Sequence, residues 1–376
     1  EAREQNEEAM VAWLQQAIKK HPTVLEPRLM LARYYLGSGQ ADQVAPLFAD
    51  LDEMQRRSRP VLEMTALAQL AGQQHAVANA TLEQLIASNP DTAHYHYLLA
   101  MAAGGEGDQR KAKQELLQAH QLDARHVPTL VALARLSLVE QAPEQFEQYL
   151  DTLLTLAPEA PDVLRLQAIA AQRAGDTDEA LAHATRAYNA SPGTQTLLEW
   201  VGYQKLAGQG DAARTSLQQW IEEHPEDVAV RLALANDLQV ENDLEGAQAQ
   251  YTAVVKLDPD NVMALNNLAW NLRLEDPAQA VDYIRRAAQA APDRAEVLDT
   301  LAVIEHLNGE NRLAHRNIQR ALAAAPDNLS MRYHKAMIEA ALGEKEPAIT
   351  ALESLLAEGE FPERAEAEKL LASLRG

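Results

Sequence analysis

The sequence predicts an all-α solenoid of about ten helix–turn–helix units, closed by a C-terminal capping helix. Three observations carry that prediction: proline recurs at steps of 33 or 34 residues, small side chains hold two fixed places in each unit, and glycine recurs at a third. The prolines are Pro90, Pro158, Pro192, Pro225, Pro259, Pro292 and Pro326, with Ala124 in the one missing step. Counting back from each gives units starting at Leu25, Arg59, Ala93, Val127, Pro161, Thr194, Val228, Val262, Ala295 and Leu329. Together they cover residues 25–362.

Each part of the unit has a physical reason. Position eight is alanine in nine units and Val201 in the other; position twenty is alanine in eight, with Val44 and Phe146 as the exceptions. Small side chains there let the two helices of a hairpin approach closely, and a larger one would overpack the contact by about 1–3 kcal/mol. Apolar residues follow at helical spacing, as in Leu232, Leu234, Ala235 and Leu238, then Ala247, Tyr251 and Val254. Gly39, Gly107, Gly175, Gly208, Gly309 and Gly343 stand at position fifteen, where a positive φ ends the first helix. Proline near position 32 stops the second helix, and Asp91, Asp260 and Asp327 after it are expected to cap the next one. The units at Leu25 and Leu329 carry Arg56 and Glu360 in place of that proline, so irregular packing is expected there.

The two ends differ. Residues 363–376 read as a capping helix, with Ala367, Leu370, Leu371 and Leu374 on one stripe and charges elsewhere. Residues 1–24 read as the second helix of a truncated upstream repeat, its Val11, Leu14 and Ile18 expected to lack a covering partner. A longer native chain with further repeats upstream is the expectation.

Composition narrows function by exclusion. The net charge is −22, which repels phosphate backbones and an anionic membrane surface, so nucleic acid is not an expected partner. No run reaches 18 apolar residues, and membrane attachment is expected only through regions outside this sequence. There are no cysteines, hence no disulfide, thiolate metal site or thiol nucleophile. Gly208-Gln209-Gly210-Asp211-Ala212-Ala213 mimics a dinucleotide fingerprint, but a helix rather than a strand precedes it. Gly104-Gly105-Glu106-Gly107 lacks the Lys-Ser/Thr of a phosphate loop. His94 and His96 are spaced two apart, wrong for a helical metal pair, and read as surface residues. No carboxylate pair is marked by an apolar setting that would raise its pKa. No enzyme, metal or cofactor is expected.

The 34-residue period, small residues at eight and twenty, an apolar residue at 24 and proline at 32 resemble the tetratricopeptide repeat (TPR) family. The resemblance spans about nine-tenths of the chain, though position four is seldom tryptophan. It implies a right-handed superhelix and a scaffold for protein–protein interaction. In that family positions 2, 5, 9, 12 and 13 of the first helix line a concave groove. Transferred here, the groove of residues 127–294 would hold Arg135, Arg165, Arg173, Lys205 and Arg273 against the single acid Asp162, with Asn236, Asn266 and Trp270 among them. An extended acidic or polar protein segment is the expected ligand. The carboxylate-clamp code of chaperone-binding members is absent, as is a continuous asparagine ladder at position six, where only Asn267 qualifies.

A narrower resemblance lies in residues 260–376. Ala264-Leu265-Asn266-Asn267-Leu268-Ala269-Trp270, Val297-Leu298-Asp299-Thr300-Leu301, Arg332-Tyr333-His334 and Phe361-Pro362-Glu363-Arg364 are similar to the ends of bacterial TPR lipoproteins of exopolysaccharide and exosortase (PEP-CTERM) clusters. That implies a periplasmic or envelope scaffold in polysaccharide export or protein sorting. The alternatives are a general co-chaperone or assembly factor, and a polysaccharide-binding module in which Trp270 stacks on a sugar.

Overall fold

The computed structural model describes residues 2–376, with side chains from Asn6 onward. Among the described residues the elements are all helical, and the chain divides into two compact bodies, Glu1–Ser191 and Pro192–Gly376. In the first body, helix Ala2–Lys20 precedes Glu26–Gly37 and a broken stretch of short helices at Ala41–Gln43, Val44–Phe48 and Glu53–Arg56. Regular hairpins follow: Arg59–Ala71 with His75–Ser88, Ala93–Gly105 with Gln109–Leu122, Val127–Val139 with Pro143–Leu156, and Pro161–Ala174 with Thr177–Ala190. The second body pairs Thr194–Leu206 with Gly210–Glu223, Val228–Val240 with Leu244–Leu257, and Val262–Leu272 with Pro277–Ala290. Ala295–Leu307 with Asn311–Ala324, and Leu329–Ala341 with Lys345–Glu358, complete it before the final helix Arg364–Arg375. The helices of each hairpin are called A and B below.

Burial follows the sequence period. Every residue at positions eight and twenty is buried, from Ala32 and Val44 through Phe146 and Val201 to Ala336 and Ala348. Larger apolar side chains fill the layer between hairpins, for example Leu265, Ile284, Val297 and Ile304 in the second body. Position fifteen is left-handed even where glycine is missing: φ is 56° at Gln73, 55° at Gln141 and 64° at Asn242, beside 84° at Gly175. The turn geometry is set by hairpin closure, and the residue has to accept it.

Capping departs from the sequence reading. The residues that cap A helices are Asp227, Asn261 and Asn328, one place later than the expected Asp260 and Asp327 in the corresponding turns. Only the later residue sits with an extended backbone one step outside the helix, where its oxygen reaches the N–H three residues on. A second set, unanticipated, caps B helices at position sixteen: Asp108, Asp176, Asp243 and Asp276 each accept the N–H three residues ahead at 2.9–3.0 Å.

The first repeat is irregular, as its missing proline suggested. Arg28, only 2% exposed, organises it by donating to the Leu47 and Pro22 carbonyls and to Asp50 at 2.9 Å. Helix Ala2–Lys20 is better covered than expected, because Leu14 is buried and Val11 and Ile18 pack with Leu29 and Leu31 of the next helix. At the other end Ala367 and Leu371 are buried against Tyr333 and Leu355. No described helix is long and apolar enough to cross a membrane.

Candidate functional site: the A-helix faces

Because A helices carry positions 2, 5, 9, 12 and 13 on neighbouring turns, residues four apart share a face, and equivalent positions in successive repeats form rows. Arg135, Arg165 and Arg173 fall in the first body, and Lys205, Asn236, Asn266, Trp270 and Arg273 in the second. Each set is described within its own body.

In the first body Arg135 and Arg165 converge on one carboxylate, Asp162, at 2.6 and 3.0 Å. Arg173 lies 5.8 Å from the centre of the Phe146 ring, so the one large residue at position twenty acquires a cation above it. Further along the same face, His94 stacks on Tyr97 at 6.2 Å, and His126 meets both rings edge-on at 5.6 Å. Burial, and then the neighbouring His94, lower the His126 pKa, while burial raises that of Tyr97. His96 is not a surface residue. It is 9% exposed and bonded to Glu115 at 2.7 Å and to the Pro90 carbonyl at 3.0 Å, which pins the Asn89–Thr92 turn.

In the second body the charge count also changes. Lys205 donates to Asp237 at 2.6 Å, and Asp237 is further approached by Arg214 at 3.7 Å. Asp237 sits at position ten, outside the positions used to count acids, so in this body Lys205 already has an acid partner that those positions did not show. Asn236 accepts from the buried Tyr251 hydroxyl at 2.6 Å, and that oxygen accepts from Asn267 at 2.8 Å. A B-helix tyrosine thus reaches through the layer and locks two A-helix amides. Asn266 beside them keeps a buried Oδ1 with no hydrogen-bond partner. Arg273 stacks on Trp270 at 4.0 Å and donates to its carbonyl at 2.6 Å; burial lowers the arginine's pKa. One face of the indole is therefore occupied by the guanidinium. Its neighbour His334, 6.0 Å away, is held by Asp299 at 2.8 Å.

One functional signal went unread in the sequence. Position thirteen of the second body is Leu206, Val240, Leu274 and Leu307, 59%, 86%, 69% and 46% exposed. Single exposed aliphatics are ordinary, but four at the same place in successive repeats form a row, three of them ending their A helices and Leu274 in the turn just past Leu272. The spacing is visible in the sequence at position thirteen, but exposure is not. Burial also gives Glu305 a raised pKa, offset by the Asn317 amide at 2.9 Å, so one carboxylate does sit in a perturbing environment after all.

Stacked hairpins with small residues at eight and twenty, and an A-helix face rich in unburied apolar and amide groups, define an interaction repeat rather than a catalytic cavity. A tetratricopeptide repeat model matches residues 63–124, 232–295 and 308–365, segments that fall in both bodies. The chain is similar to Protein HemY of Escherichia coli (strain K12), 27% identical over 270 residues, 68% of this chain and 66% of that protein. It is also similar to the TPR repeat-containing protein PA4667 of Pseudomonas aeruginosa, 26% identical over 152 residues, 39% of this chain and 26% of that protein. The chain thus spans 66% and 26% of these two relatives' lengths. A solved tetratricopeptide repeat protein of Parabacteroides merdae aligns at TM-score 0.47 and 15% identity over 57% of this chain and 85% of that one. Tetratricopeptide repeats generally mediate protein–protein interactions through protein or peptide partners, and the fold is typically a non-catalytic scaffold.

Proposed function

We propose that this chain is a bacterial interaction scaffold that binds an extended protein segment along the A-helix face of Pro192–Gly376. The observation that carries the reading is the exposed row Leu206, Val240, Leu274 and Leu307. Covering such side chains contributes roughly 1.5–3 kcal/mol for each one fully buried, before the costs of association. Lys205, Asn236, Asn266, Trp270 and Arg273 flank the row and would fix the partner's backbone and register. In Glu1–Ser191, the half-exposed Arg135 pairs with Asp162, and Arg173 lies over the Phe146 ring. That body would recruit the acidic parts of a partner. An envelope location and a role in polysaccharide export or sorting rest on the resemblance of residues 260–376 alone.

The test is selection of peptides from a random display library on the whole chain. Aliphatic-rich extended peptides are expected, and Leu274→Glu should weaken them at least about tenfold, the worth of one buried aliphatic. Peptides that bind wild type and Leu274→Glu equally would exclude the row.

A further inference from the structure

Away from the A-helix faces, three side chains from two helices and a turn gather beside the turn inside the last hairpin. His315 comes from helix Asn311–Ala324, Glu339 from Leu329–Ala341, and Glu344 from the residue just before Lys345–Glu358. Each offers one ligand atom, and all three atoms lie within 4.8 Å of one another. We propose that they bind one divalent transition-metal cation.

The first support is Glu339. It is 4% exposed, and its Oε2 is buried with no hydrogen-bond partner. An unclaimed carboxylate oxygen in the interior is costly, and proteins rarely retain one without a use. The preceding repeat shows the settled alternative at the same position eleven, where Glu305 accepts the Asn317 amide at 2.9 Å. Glu339 instead has its Oε1 3.8 Å from an imidazole nitrogen, His315 Nε2, while its Oε2 accepts from no side chain.

Glu344 supplies the second support. At position sixteen Asp108, Asp176, Asp243 and Asp276 cap their B helices; the glutamates Glu310 and Glu344 do not, and of the two it is Glu344 whose carboxylate lies with His315 and Glu339. Its extra methylene carries the carboxylate past the helix end and toward His315 and Glu339. One imidazole nitrogen with two carboxylate oxygens suits Zn2+, Mn2+ or Fe2+, whereas Mg2+ and Ca2+ favour all-oxygen sets. Bonds of about 2.0–2.2 Å need the ligand atoms closer than 4.8 Å, which small rotations of the exposed Glu344 and half-buried His315 supply.

Lys335 is the competitor. Its Nζ holds Glu339 Oε1 at 2.6 Å and leaves Oε2 open, while Gln319 Nε2 lies 3.5 Å from the His315 nitrogen. A metal must share Glu339 with that ammonium, so Lys335 weakens the site and gives the test its handle.

Zn2+ alone is titrated by calorimetry into the whole chain after chelator treatment. One equivalent is expected to bind, with Mg2+ failing to displace it. Glu344→Gln and His315→Ala should each weaken binding by at least about tenfold. Lys335→Gln should tighten it several-fold, which a scatter of surface histidines would not show. Zn2+ should also raise the melting temperature of wild type but not of Glu344→Gln, an exposed change that leaves the core intact. No saturable binding, or binding indifferent to Glu344→Gln and Lys335→Gln, overturns the proposal. None of these residues belongs to the partner-binding row, so either reading can fail without the other.

Discussion

The two bodies share one internal grammar and present different faces. Positions eight and twenty are buried throughout both. Position thirteen diverges: the first body has Gly37, Ala71, Gly105, Val139 and Arg173, whereas the second has Leu206, Val240, Leu274, Leu307 and Ala341. The first body clusters rings and charges on its A face, with His94, Tyr97 and His126 in mutual contact and Asp162 shared by two arginines. The second sets aliphatic tips beside a locked amide pair and a capped indole. Packing dictates which residues must be small; it leaves the terminal turn of each A helix free to vary, and that is where the bodies specialise.

The sharpest way to break this comparison is to reverse its two halves. Val240→Glu should cost a bound aliphatic peptide at least about tenfold, while Val139→Glu, exposed but alone on its face, should change binding less than about twofold. Fluorescence anisotropy with one selected peptide reads both. Equal losses would mean that the row has no special standing.

Next in size is the shared interior. Ala235→Leu and Ala134→Leu each force a larger side chain into a fully buried contact and should destabilise by about 1–3 kcal/mol. Hydrogen exchange should lose protection in the repeats adjoining each substitution and keep it in helix Arg364–Arg375. Uniform loss along the chain would contradict nearest-neighbour stability.

A smaller gain is expected at the turns. Gln141→Gly relieves a left-handed residue and should stabilise by about 0.5–1 kcal/mol in chemical denaturation, with Asn242→Gly giving less because asparagine tolerates that region better.

The smallest effect is acid sensitivity of the first repeat. The Arg28 hydrogen bond holds the Asp50 carboxyl below its ordinary value of 3.8. A depressed carboxyl contributes stability that is present above the unfolded value and lost as pH falls through the lower folded value. Protection of helix Glu26–Gly37 should therefore decline at the acid end, and Asp50→Asn should flatten that decline.

The sequence by itself determined the helical class, the hairpin period and the buried small positions. These depend on local spacing, and each repeat states them again. It also marked the first repeat as irregular through Arg56, although Arg28 as its organiser was not legible, since Leu47 and Asp50 come near it only after folding. The division at Ser191 carries no sequence signal, and the caps fall one residue after the aspartates that follow proline because capping depends on backbone geometry at the helix start.

Site residues were legible as places but not as chemistry. Spacing placed Arg135, Arg165, Lys205 and Trp270 on A helices. Only tertiary structure showed Asp162 shared by two arginines, Lys205 paired across repeats with Asp237, and the indole covered by Arg273. The reason is range. A periodic pattern reports which side of a helix a residue occupies, whereas the pairs Arg135–Asp162 and Lys205–Asp237 join neighbouring repeats, and even the short-range stacking of Arg273 on Trp270 depends on a side-chain conformation that no local signal encodes.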